Sequence, residues 1–488
     1  MYKHLAKNNI PFDLEPEDIK RKISYFRYLN ATNEEILNQI GLLMQHFSTL
    51  ENRATILREC GFVESLNLLT LSKYITIARR RVKDLKVQRL IPQDLDMVAQ
   101  IKKQFHAKIQ ASIESIKSDE LPLQVLRDAF LNEFLRIRLK LSDDEIKKLW
   151  KTYSKIKHRS FSHTQRVLDI LQHDYNFERD KIVSNLYLLY ADPDNLLRYP
   201  EVIPSIAGVG IRDVMLKQPK LAMMQCDSIV KVLKLLRKHE INETEILNNS
   251  MILTFSPDTV STRLKLLSQV KEFGILFNHP RFIKLITYQP KAAIRLNFLR
   301  QLNVRCASLN VLSGSSQNFE KYVREGCDKI KGKDACHYLN KIFDKQDNEA
   351  IKQLKRHPNW YHVPTVRMED TFEYLKTEGF EPKDIYETIQ ILLYPKAQVE
   401  RKLRKLLECR RRNEPHENFA FELSGVMPGK ILSLCLYLIE LDFHFTGDGV
   451  WPEEIQQSDA TTNHFIEMPK TLSKEYKFGV KPHRLSGG

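Results

Sequence analysis

Asp227-Ser-Ile-Val-Lys-Val-Leu-Lys-Leu-Leu236 is answered by Asp258-Thr-Val-Ser-Thr-Arg-Leu-Lys-Leu-Leu267 and by Lys291-Ala-Ala-Ile-Arg-Leu-Asn-Phe-Leu299. Each stretch opens on a polar residue, sets an apolar residue three before its last Leu, and places Lys or Arg between the apolar positions. The closing leucines are 31 and then 32 residues apart. A fixed period of this size means stacked supersecondary units. Followed outward, the closing apolar residues are Leu171, Ile206, Leu236, Leu267, Leu299, Leu375 and Leu406. Three residues earlier stand Leu168, Ile203, Leu233, Leu264, Leu296, Phe372 and Leu403. An i, i+3 apolar pair in every unit predicts the inner face of a stacked helix.

The start of each unit is also written in the chain. Phe177-Glu-Arg-Asp-Lys-Ile182, Ile241-Asn-Glu-Thr-Glu-Ile246 and Phe380-Glu-Pro-Lys-Asp-Ile385 each read as a short turn and an acidic helix start. Thr32-Asn-Glu-Glu-Ile36 reads as a capping box, Ser142 as an N-cap, and Cys60-Gly61-Phe62 as a helix stop. Pro219, Pro290, Pro358 and Pro395 mark corners, because Pro cannot continue a helix interior. The unit around Ile246 has Ser250 at the matching place. No strand-period alternation persists.

These features define an all-α chain. Residues 1–22, with Pro11 and Pro16, read as a disordered lead-in, and 23–412 as the repeat array. An irregular insert is expected near 308–332, where Ser313-Gly-Ser-Ser316 suggests a flexible turn. Residues 413–445 read as a capping segment and 446–488 as an irregular tail.

With 488 residues and 42% hydrophobic content the chain can build a continuous core. Its formal charge of +15 points to a polyanionic partner, nucleic acid first. The seven cysteines include no CxxC pair and read as reduced structural thiols. No apolar run approaches a membrane span. Met1–Ile10 is weakly basic and is followed by Asp13, Glu15, Glu17 and Asp18, so a transit peptide is not evident.

The basic residues carry the functional signal. Lys231, Lys234 and Lys238 lie on one helix face, opposite Ile229, Leu233 and Leu236. Lys265 and Arg404 share the repeat position of Lys234, and Arg401 that of Lys231. Arg263, Arg295 and Lys402 share another. The run Pro395–Arg412 adds Lys405. One cation per repeat would make a line suited to tracking a phosphate backbone. Glu373 interrupts it, and each residue singly also fits a solvated helix face. The segment Leu66–Leu90 is strongly basic as well. Tyr187, Tyr190, Phe282, Tyr288 and Trp360 are candidates to stack on bases, with core packing as the plainer role. Cys327, Cys336, His337 and His357 or His362 lack paired zinc spacing. Without a phosphate-binding glycine loop or nucleophile spacing, the reading is a non-enzyme with no cofactor.

The combined pattern resembles the mitochondrial transcription termination factor (mTERF) family. It consists of a turn-apolar residue, an acidic helix start ending in Ile, a corner Pro and a Leu-rich basic helix. Ile211-Arg-Asp-Val-Met-Leu-Lys-Gln-Pro-Lys-Leu221 and Ile351-Lys-Gln-Leu-Lys-Arg-His-Pro358 are similar to that family's Ile-to-Pro element. The resemblance covers roughly 140–410. It implies a curved helical-repeat solenoid, right- or left-handed, with units of about 30–35 residues. It further implies a mitochondrial matrix protein that binds double-stranded mitochondrial DNA and terminates or modulates transcription. Alternatives are ribosomal-RNA binding in ribosome assembly and a protein-interaction solenoid. Implied partners are mitochondrial DNA or RNA, another family member, or the mitochondrial transcription machinery, without membrane insertion.

Overall fold

The computed structural model describes residues 16–105, 118–325, 328–345, 348–419 and 421–451. The chain divides into two compact units, Met1–Lys231 and Val232–Gly488. Both are all-α apart from one minimal hairpin and isolated bridges among the described residues.

The recurring element is a triplet: a short helix, a five-residue 3₁₀ turn and a longer helix. The first unit holds Asn33–Asn38, Ile40–Met44, Phe47–Glu59, and later Asp143–Thr152, Ser154–His158, Phe161–Asp169. Arg179–Ser184, Leu186–Tyr190, Pro193–Val202 form the next triplet. Ile211–Lys217 and Pro219–Met223 lead into Cys226–Lys238, which runs through the division between units. In the second unit Glu243–Asn248, Ser250–Thr254, Pro257–Ser268 and Pro382–Glu387, Ile389–Leu393, Lys396–Arg412 repeat the form. The turn does not depend on proline, since Ser250 opens one as Pro219 does. Apart from Ser154–His158, the turns share a buried apolar pair at their third and fourth residues: Leu42–Leu43, Leu188–Leu189, Leu221–Ala222, Ile252–Leu253 and Ile391–Leu392.

At three of the closing leucines, Leu236, Leu299 and Leu375, the period falls on a helix stop. The amides of Ile241, Val304 and Phe380 donate to the carbonyls of Leu236, Leu299 and Leu375 at 3.1, 2.9 and 3.1 Å. Between them Glu240, Asn303 and Gly379 take left-handed φ of 56°, 56° and 88°. This Schellman geometry satisfies the last carbonyls of a helix and turns the chain. The same stop occurs at Gly61, where the Phe62 amide reaches Leu57. N-terminal caps complete the phrase: Thr32 with Glu35 and Ser142 with Glu145 form full capping boxes.

A second regularity joins consecutive triplets. In five long helices the seventh residue, counted from the first, is Lys22, Tyr199, Arg263, Arg295 or Thr371, whereas in Phe161–Asp169 and Cys226–Lys238 it is a buried valine, Val167 and Val232. Each of the five donates to backbone carbonyls at the end of the next short helix or turn. Lys22 Nζ reaches Leu43 O at 2.8 Å, and Tyr199 Oη reaches Met224 O at 2.7 Å. Arg263 reaches Thr287 O at 2.7 Å, Arg295 reaches Val311 O at 2.9 Å, and Thr371 Oγ1 reaches Tyr394 O at 3.0 Å. Carbonyls at a helix end lack an intrahelical amide partner, and burial without a donor would be costly; Met224 O also accepts from Asn195 Nδ2 at 2.7 Å.

Several expectations change. Helix begins at Pro16, inside the 1–22 lead-in, and residues 1–15 lie outside the described residues. Ile203 and Ile206 are not a helix face: the helix stops at Val202, before Pro204, and Ile206 lies in the hairpin. That hairpin pairs Ser205–Ile206 with Val209–Gly210 across Ala207 and Gly208, both at positive φ. Much of the 308–332 stretch is helical, as Leu309–Ser313 and Ser316–Arg324. Two of its four serines are helix caps: Ser308 and Ser315 accept from the Val311 and Asn318 amides. Gly314 is required there, since a Cβ would sit 2.2 Å from Asn310 O.

The stretch expected to cap the array, 413–445, contains the helix Pro428–Asp442, which packs on Lys396–Arg412 and Pro382–Glu387 and buries Ile431, Leu432, Cys435, Leu438 and Ile439. The first residues of the expected tail are ordered against the second unit. Asn359 Nδ2 donates to Gly447 O, Arg367 to Val450 O, and Trp451 meets His362 at 5.4 Å between ring centroids. Residues 452–488 lie outside the described residues.

Candidate nucleic-acid interface

The helix Cys226–Lys238 separates its faces as its spacing predicts. Ile229, Leu233 and Leu236 are buried, while Lys231, Lys234 and Lys238 are exposed. These three are residues six, nine and thirteen of the helix, one stripe by i, i+3 and i+4 spacing. Lys265, ninth in Pro257–Ser268, is exposed as well. In Lys396–Arg412, Arg401 and Arg404 occupy positions six and nine, and both are exposed together with Lys405, Arg411 and Arg412. Lys231, Lys234, Lys265 and Lys405 have no ion-pair partner among the described residues, whereas Arg404 is held by Glu400.

Three predicted residues leave the set. Arg295 is 1% exposed, with its guanidinium on the carbonyls of Val311, Leu312, Gly314 and Ser315 and over the Phe319 ring at 4.5 Å. Arg263 is part-buried, donates to Ile286 O and Thr287 O, and lies over Phe255. Lys402 is half-buried in a 2.6 Å ion pair with Asp442 that ties the basic helix to the capping helix. Their shared repeat position, the seventh, faces neighbouring chain instead of solvent. A phosphate contact would require breaking these bonds.

The stripe is also interrupted more than the sequence comparison indicated. Positions six and nine carry Asp370 and Glu373 in Thr365–Thr377, and position nine carries Asp169 and Glu201 in the first unit. There the position-six cations pair with position-two acids of the next long helix: Arg166 with Asp194 at 2.8 Å and Arg198 with Asp227 at 3.3 Å. The exposed cations therefore fall in two stretches of the sequence, 231–265 and 401–412. The basic segment Leu66–Leu90 is partly neutralised from afar, by Glu120 on Arg81 and Lys83 and by Asp119 on Lys86.

Among the stacking candidates Phe282 is core, Tyr187 bonds Asn185, Arg159 covers Tyr190 at 3.9 Å, and Lys355 lies 5.4 Å from the Trp360 ring. Tyr288 is 40% exposed. The weighed zinc ligands go separate ways. Cys336 contacts Asn348, His337 the Phe277 carbonyl, His357 the Tyr394 hydroxyl and His362 the Asp328 carbonyl. Cys327 lies outside the described residues. Among the described residues no helix is long and apolar enough to cross a membrane.

Helical triplets with recurrent basic long helices place this chain in a class of all-α repeat proteins, and it belongs to the mitochondrial transcription termination factor family. It is 35% identical over 471 residues to "Transcription termination factor 5, mitochondrial" of Drosophila melanogaster, across 96% of this chain and 84% of that protein. No family model matches the chain, and no solved structure matches it.

Proposed function

We propose that this protein binds double-stranded mitochondrial DNA without catalysis and regulates transcription by termination or modulation, as a helical-repeat solenoid in the mitochondrial matrix. The observation that carries the reading is a set of exposed cations at matching positions of the long helices. Lys231, Lys234 and Lys265 lie on two consecutive long helices, and Arg401, Arg404 and Lys405 on a later one, all exposed. Lys231, Lys234, Lys265 and Lys405 have no ion-pair partner among the described residues. A cation with no protein partner loses little when it moves to a phosphate and gains the entropy of released counterions. The name of the Drosophila relative supports the compartment and the process. The test is a gel shift of the full chain with mitochondrial duplexes and structured RNA over a salt series. Duplex binding that weakens steeply with salt supports the reading. Absence of binding at low salt, or a preference for ribosomal RNA, overturns it.

A further inference from the structure

The helix Pro428–Asp442 ends the described repeats, and a terminal cap ordinarily turns a polar face outward. This one does not. Behind it Ile431, Cys435 and Leu438 are buried, while on its outer side Tyr437 is 45% and Leu441 38% exposed, with Leu434, half-buried against the core at the edge of this face, one turn before. Leu434, Tyr437 and Leu441 are spaced i, i+3, i+7, the apolar spacing of a helix that packs against another helix. Aromatic rings widen the patch on both sides. Phe419 stacks on Phe421 at 5.5 Å and meets Tyr437 at 6.1 Å, and Tyr437 meets Phe445 at 5.5 Å. Phe421 and Phe445 are 48% and 57% exposed. A helix apolar on two faces is built to be covered on two faces.

We propose that a second copy of this chain covers the outer face, with the two capping helices antiparallel about a two-fold axis. The charge arrangement favours this occupant. The outer stripe begins at Lys430 and ends at Leu441–Asp442, so antiparallel pairing crosses Leu434 with Tyr437 and brings Lys430 of each copy to Asp442 of the other. Lys430 is 65% exposed and makes a 3.7 Å surface ion pair with Glu387 of its own chain, which a cross-subunit pair would replace. Asp442 pairs with Lys402 at 2.6 Å and keeps 43% exposure, which leaves it open to a second cation. The antiparallel arrangement also sets opposite helix-dipole ends together. A two-fold interface must be self-complementary, and a stripe with a cation at one end and an anion at the other meets that demand. Aromatic residues are enriched in the centres of such interfaces.

Sedimentation of the full chain across the micromolar range, without nucleic acid, is the test. The expected result is a reversible monomer–dimer equilibrium. Tyr437→Glu with Leu441→Glu should raise the dissociation constant at least about 100-fold while leaving the helical circular dichroism intact. Lys430→Glu alone should raise it about tenfold. A parent chain that sediments as a monomer throughout overturns the proposal. So does a dimer that the double variant leaves intact, which would place the interface elsewhere. If the double variant fails to fold, the parent equilibrium and Lys430→Glu still decide.

Discussion

The Arg295 guanidinium donates to the Gly314 carbonyl at 3.0 Å, and that bond makes Arg295 a different kind of residue from Lys234, although both are cations of a basic repeat helix. Arg295→Ala would strand several buried carbonyls of the following helix end. Unfolding free energy should fall by about 3 kcal/mol, since the lost bonds are charge-assisted and buried. Nucleic-acid binding by the protein that remains folded should keep its salt slope. Urea unfolding and a salt-series gel shift on the same variant separate the two effects.

Lys234, Lys265 and Lys405 should show the opposite signature. Changing all three to Ala leaves the thermal midpoint unchanged, because their side chains are exposed and touch no carboxylate among the described residues. The slope of log affinity against log salt should become shallower by roughly 0.9 for each lost phosphate contact. An unchanged slope would remove these residues from the interface.

Acid should weaken the fold through buried imidazoles. Burial first, then Arg159, pushes the His163 pKa down to about 3. Burial, then His337 and Arg281, pushes His279 down to about 4. The unfolded chain takes up these protons near pH 6.5 and the folded chain does not. Stability is therefore full above about pH 6.5 and falls as pH drops toward the folded values, by up to roughly 1.4 kcal/mol per pH unit for each group. Urea unfolding at pH 7.5 and 5.5 measures the loss. His279→Asn keeps an acceptor for the Arg281 amide and should reduce the pH dependence relative to the parent.

Ala207 stands at φ 51° ahead of Gly208 at 77°, a two-residue hairpin turn that favours Asn-Gly. Ala207→Asn should stabilise the first unit by about 0.5 kcal/mol, while Gly208→Ala should destabilise it by about 1 kcal/mol. Thermal unfolding of the two variants should shift in opposite directions.

Much of this organisation is legible in the residues alone, because local chemistry determines it. Thr32 with Glu35, Ser142 with Glu145 and Gly61 act within a few residues of themselves, so caps and stops can be read directly. The closing leucines were visible as a period, and the carbonyls of Leu236, Leu299 and Leu375 prove to be where those helix stops close. What could not be read depends on contacts distant in sequence. Glu120 reaches Lys83 across 37 residues and silences part of a basic run. Arg263 and Arg295 look like surface cations until the following helix end is seen beneath them. The recurrence of Tyr199 and Thr371 at the same seventh position was a signal, but it becomes visible only when helix starts are known to the residue. Ser308 and Ser315 misled because the same residue types make flexible turns and helix caps.

The seventh-residue contact has a consequence for how such a chain can change. Its acceptors are main-chain oxygens, which every substitution leaves in place. An ammonium, a phenol, a guanidinium and a hydroxyl all fit the same socket, at Lys22, Tyr199, Arg263 and Thr371. Where this joint is made, it constrains reach and donor capacity but not residue identity. Repeats can drift apart in composition, or be exchanged between positions, without losing the register that stacks them.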